Sequence, residues 1–205
     1  MDLEAPVDAW YVWLGVSTAS IVIAGVALGF PTGPPPDANG AVNAIDRVAG
    51  SPYDASTTHE HEADEIRLRE GKTLELRNEH GTAHASLAYD TAVLVSDDER
   101  LENVTYGTPF GDEFDEAINR SDTDATAAFL DRTNESHEAV DGEWWPAGDR
   151  LVVRTVSLDP DVIDDSASAS GAGDQPDASE IAAVTDQIRV DSETGEYHVT
   201  LVVAE

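Results

Sequence analysis

From Ala9 to Phe30 the chain carries no charged side chain, and apolar residues fall on every side of the helical turn, leaving no polar stripe. At about 1.5 Å per residue those 22 residues reach roughly 33 Å, enough for a hydrocarbon core. The pattern predicts a transmembrane helix over 9–30, behind a short acidic tail at 1–8. Trp10, Tyr11 and Trp13 stand at one end and Phe30 at the other, where amphipathic rings meet a membrane interface. The following PTGPPP ends the helix, because proline lacks the backbone donor and restricts its neighbour. A buried core helix of this length would show a polar side, and a cleaved signal would carry a basic leader and a shorter apolar run. The leader here is MDLEAPVD, so a retained anchor is expected. Gly25 and Gly29 form a G-x-x-x-G, and Gly15 with Ala19 extends the small-residue face on which a second helix could pack.

Beyond the helix the period changes. Residues 31–62 read as a linker, with a short helix over Ala41–Val48. In DEIRLREGKTLELRNEHG, Ile66, Leu68, Leu74 and Leu76 alternate with charged residues, with turns at Gly71 and at Asn78–Gly81. Ala83, Ala85, Leu87 and Tyr89 continue the alternation, and TAVLVS is a fully apolar strand. This predicts a β-meander with one buried face and one very acidic face. Asp112–Asn119 and Asp124–Arg132 read as two helices, the second capped by Ser121 or Thr123, forming an insertion at about 110–132. RLVVRTVSL returns to strand. The Asp/Ser/Ala/Gly-rich stretch at about 159–180 reads as a disordered loop. Gln187–Asp191 and Tyr197–Ala204 read as a hairpin turning at Gly195. The expected fold is therefore mainly β: a small antiparallel, sandwich-like acidic domain at 63–205 with minor helix, preceded by one transmembrane helix.

Charge adds the environment. The chain has 42 acidic and 11 basic residues, a formal net charge of −31, and Lys72 as its only lysine. Such a surface repels phosphate, which argues against a nucleic-acid partner. Carboxylates spread along the chain keep a protein solvated where salt screens their repulsion, so the composition resembles that of haloarchaeal proteins. The absence of cysteine excludes disulfides, thiolate metal sites and thiol catalysis.

Candidate chemistry is sparse. His59 and His61 would share one face of a strand, but no third ligand follows at a recognisable spacing; a solvated charge run in a linker is the simpler reading. His80 and His84 flank a turn and are read alike. Asp112, Glu113, Asp115 and Glu116 lack calcium-loop spacing. No phosphate loop, nucleophile elbow or dinucleotide fingerprint is present. No enzyme activity, cofactor or metal is expected. Asn103, Asn119 and Asn134 each open an N-x-S/T acceptor sequon, which favours a head outside the cell. Trp144-Trp145 reads first as core packing or contact of the domain with the membrane; the alternative is one core indole and one exposed indole that marks a partner or glycan contact.

The segments APVDAWYVWLGV, GVALGFPTGPPPDA, AIDRVAGSPYDAS and IRLREGKTLELRNEHGTAHASLAY resemble an uncharacterised family of small haloarchaeal membrane proteins. These are similar in layout to archaeal pilin-like subunits, with one N-terminal hydrophobic helix and a β-rich head. The resemblance implies a role in a pilus-like or secretion-like assembly, with the lipid bilayer and other membrane helices as partners. A processed filament subunit would have a basic leader and a cleavage point; Asp8-Ala9-Trp10 is not one, so an unprocessed accessory subunit is expected.

Overall fold

The computed structural model describes residues 8–28, 33–89, 92–114, 122–158, 188–190 and 196–205. The chain divides between Pro34 and Pro35 into two compact units. The first unit holds α1 (Asp8–Leu28), 21 residues of unbroken helix. The second holds α2 (Ala38–Ala49), β1 (Ala55–Glu60), β2 (Glu65–Arg69), β3 (Thr73–Asn78), β4 (Gly81–Ser86), β5 (Ala92–Val95), α3 (Glu99–Tyr106), α4 (Phe110–Phe114), α5 (Asp122–Val140), β6 (Trp145–Pro146), β7 (Arg150–Leu158), β8 (Arg189–Val190) and β9 (Tyr197–Ala204). The mainly β expectation holds for this head, with the arrangement corrected in four places.

First, the linker is not one throughout. In α2 the apolar residues recur at helical spacing, and Ala41, Val42, Ile45 and Val48 enter the core. Asp37 caps the helix by accepting the Gly40 amide at 2.9 Å. Gly40 is where helix and strand meet: a Cβ there would collide with the Asp37 carboxylate and lie 3.2 Å from His59 Cε1. β1 begins the sheet at Ala55, before the expected boundary at 63. Its inward positions are Ala55, Thr57 and His59, too polar for an apolar alternation to show.

Second, there are two sheets of different kinds. The meander β2–β3–β4 is antiparallel as expected, with β6 added beside β2. Glu70 (φ 51°) and Gly71 (φ 60°) make the tight turn, and the Asp141 carboxylate accepts the Glu70 amide at 2.5 Å. The larger sheet runs β1-β7-β9-β5, with β8 also on β9. Here β9 is antiparallel to β7 but parallel to β5, so the sheet is mixed.

Third, the larger sheet is covered on both faces. Ala92, Leu94, Leu151, Val153 and Val202 meet α2 and the inner face of the meander, Ile66, Leu68, Leu74 and Leu76. Val93, Val95, Val156, Val199, Leu201 and Val203 point the other way, onto Leu101, Val104, Phe114 and Phe129. The expected insertion at 110–132 is therefore a third layer. It runs from α3 to α5 and ends at Val140. Thr123 lies inside α5, not at a cap, and Ser121 lies outside the described residues. Phe129 packs on Phe110 and Phe114, with ring centroids at 5.4 and 5.6 Å. Ser136 donates its hydroxyl to the Leu94 carbonyl at 3.2 Å, closing the β5 edge.

Fourth, the outer face of the meander is not very acidic. Glu65 lies opposite Arg77, and Arg67 opposite Glu75. The loop expected at 159–180 and the turn at Gly195 lie outside the described residues.

Candidate functional surfaces

The side chains of α1 are described from Trp10 to Gly25, and every one of these positions is exposed. Trp10, Tyr11 and Trp13 are 64%, 69% and 73% accessible, and Ile21 is 72%. A Cβ added at Gly15 or Gly25 would meet nothing within 4 Å, so the small-residue positions are open. Thr18 returns its hydroxyl to the Leu14 carbonyl at 2.9 Å, hiding its polarity within the helix. Ala19 lies one turn from Gly15, while Gly29 and Phe30 are outside the described residues. Among the described residues, no helix is long and apolar enough to cross a membrane.

On the head, the outer face of the meander gathers three ion pairs. Glu75 is buried to 6% accessibility and receives Arg67 Nε at 2.8 Å and Arg69 at 2.7 Å. Arg77 Nε donates to Glu65 at 2.6 Å. The guanidinium carbons of Arg67 and Arg77 lie 4.4 and 4.3 Å from the centroid of the Trp144 ring. Trp145, opposite Ile66, turns to the other side and packs against the core. One indole is thus structural, and the other is held half-buried between arginines. The alternating IRLRE and TLELR already place these arginines on one face; their stacking on Trp144 has no local sequence signal.

His59 faces α2 from β1, whereas His61 follows the strand and lines a cleft with Asp149 and Arg150. His61 is buried, and its Nδ1 accepts the Ala63 amide at 3.2 Å, so its neutral tautomer carries hydrogen on Nε2. In that tautomer neither ring nitrogen keeps a lone pair for a metal, and Nε2 is buried without a hydrogen-bond partner among the described residues. Burial lowers the His61 pKa from its usual 6.5, as does neighbouring His59, while Asp149 opposes the shift. Among the described residues no group of three or more His, Asp or Glu could hold a metal ion. His80 lies 3.4 Å from Glu79, and His84 is exposed opposite Glu75.

Two neighbouring clefts share Arg150 and Glu205. One, about 760 Å³, is lined by Glu60, His61, Glu62 and Asp149; the other, about 430 Å³, by Ser56, Thr58 and Tyr106. The hydrogen bond from the Tyr106 hydroxyl, with Arg150 beside it, holds the Glu205 carboxyl below the usual range. Burial and the same carboxylate push the Tyr106 phenol well up. These groups satisfy one another.

Two of the three sequons, at Asn103 and Asn134, sit in helices. Thr105 and Ser136 are buried, and their hydroxyls donate to the carbonyls of Leu101 and Leu94. Asn103 donates to Glu113 at 3.2 Å and Asn134 to Glu138 at 3.3 Å. Asn119 lies outside the described residues, as do Asp115 and Glu116.

No curated protein and no solved structure matches the chain. One family does, over residues 4–156, a span that takes in both α1 and the head as far as β7. That stretch is well over half of the chain, and the protein belongs to the Family of unknown function (DUF7283).

Proposed function

We propose that this chain is a non-enzymatic, single-pass membrane protein whose head serves as an accessory part of a pilus-like or secretion-like cell-surface assembly. The observation that carries the reading is the uniform exposure of apolar side chains around α1, which water would not support. Burying each such side chain is worth about 1.5–3 kcal/mol, so nine exposed large hydrophobics, Trp10 to Ile23, demand a cover. The described helix is not by itself long and apolar enough to cross a membrane, but the uncharged run in the sequence continues past it to Phe30, 22 residues that as a helix would reach roughly 33 Å. The aromatic cluster at one end fits an interfacial belt. The head, outside the cell, meets brine with its carboxylates.

Alkaline carbonate extraction of native membranes, with mass spectrometry of the recovered chain, tests the anchor. The intact N-terminal segment should stay with the bilayer and leave only with detergent. A chain released by carbonate, or one beginning after residue 30, would overturn the reading. Protease added to intact cells should cut the head; full protection would reverse the orientation.

A further inference from the structure

The head has two unlike outer layers. Strands β2, β3 and β4 carry two acidic residues and three arginines. On the other side of the larger sheet, α3, α4 and α5 carry nine acidic residues and two arginines. In a chain of net charge −31, the meander is therefore a local exception. Arg69 is half-exposed at 53%, and Trp144 is fixed on the same face by two guanidiniums. Tryptophan and arginine held in place are the residue types that dominate protein interfaces. Facing outward from the helical layer are Glu99, Asp112, Asp131, Glu135 and Glu138.

We propose that copies of the head associate face to back, the Arg69–Trp144 face of one receiving the acidic helical layer of the next. Charge complementarity selects this occupant. The same two surfaces belong to every copy, and two acidic helical layers brought together would repel. Because the surfaces differ, the contact is heterologous, so it extends beyond a dimer into a ring or an open filament. At high salt, screening shortens to about 3 Å. Only ion pairs in direct contact then persist, which favours arginine–carboxylate pairs around an apolar indole over long-range attraction. The contact does not rest on the anchor reading, since it uses no residue of α1.

The test is sedimentation of the full chain in detergent at roughly 1 M KCl. Wild type should associate with rising concentration and pass beyond a dimer. Arg69→Glu damages the receiving face, and Glu135→Lys with Glu138→Lys damages the acidic face; each variant alone should associate at least tenfold more weakly. Mixed in equal amounts, the two retain one good face each and should form a dimer that grows no further. Melting temperatures near wild type establish that both fold. A monomeric wild type would overturn the proposal. So would variants that associate as wild type does, which would place the contact on α1 or elsewhere, or a mixture that stays monomeric.

Discussion

Truncating Phe129 to alanine separates a structural layer from a peripheral insertion. Phe129 is fully buried and forms tilted and edge-on contacts with Phe110 and Phe114. It belongs to the cluster that includes Val93, Leu201 and Val203 of the larger sheet. Removing a buried phenyl ring costs about 3–5 kcal/mol, combining lost transfer energy with an unfilled cavity. The two aromatic contacts place this site in the upper part of that range. For a domain of this size, each kcal/mol moves the midpoint by about 2–4 °C, so a loss of about 10 °C or more is expected. The melt should be followed by far-UV circular dichroism and by the near-UV signal of the indoles. Trp144 and Trp145, the only tryptophans of the head, lie across the larger sheet from Phe129. Both signals should shift together. If the helical signal is lost early while the indole signal melts at the wild-type temperature, the helices are a detachable insertion and the layered reading fails.

Two further perturbations follow from the head. Because the His61 pKa lies below its usual 6.5, the folded state binds the proton less readily than the unfolded chain; its contribution is complete above pH 6.5 and is lost as pH falls below that value. His61→Asn keeps an acceptor for the Ala63 amide and should flatten this part of the stability-against-pH curve; an unchanged slope between about pH 7 and 5 would remove His61 as its source. Glu75→Gln leaves Arg67 and Arg69 without their shared carboxylate, and since both are partly exposed the loss should be about 1–2 kcal/mol by denaturant titration. A change below about 0.3 kcal/mol would show the pairs to be screened out.

What the sequence made legible depended on one-sided burial. The meander has a wet face and a dry one, so Ile66 to Leu76 alternate visibly. The apolar stretch before Phe30 needed no tertiary partner to be seen as a helix. Strands buried on both faces do not alternate: β5 and β9 are nearly continuous apolar runs, and nothing local says that they pair in parallel. β1 was lost for the opposite reason, with Thr57 and His59 at its inward positions. The helical layer is longer than its apolar pattern because the buried face of α5, though it recurs at helical spacing through Ala125, Phe129, Thr133, Ser136 and Val140, is made partly of small and hydroxyl side chains. The Trp144 pairing was hidden by distance, since Arg67 and Arg77 stand more than sixty residues earlier in the chain.

The place of β9 bears on how the head is made. It follows every other strand in the chain, yet it lies between β7 and β5 and feeds both clusters, through Val202 on one side and Val199, Leu201 and Val203 on the other. The meander can pair locally as it emerges, but β5 must wait about a hundred residues for its neighbour, a slow, non-local closure. A nascent chain thus holds the open edges of two apolar strands, β5 and β7, until β9 arrives. The acidic composition, by keeping such chains apart, protects the unfolded head as much as the finished one.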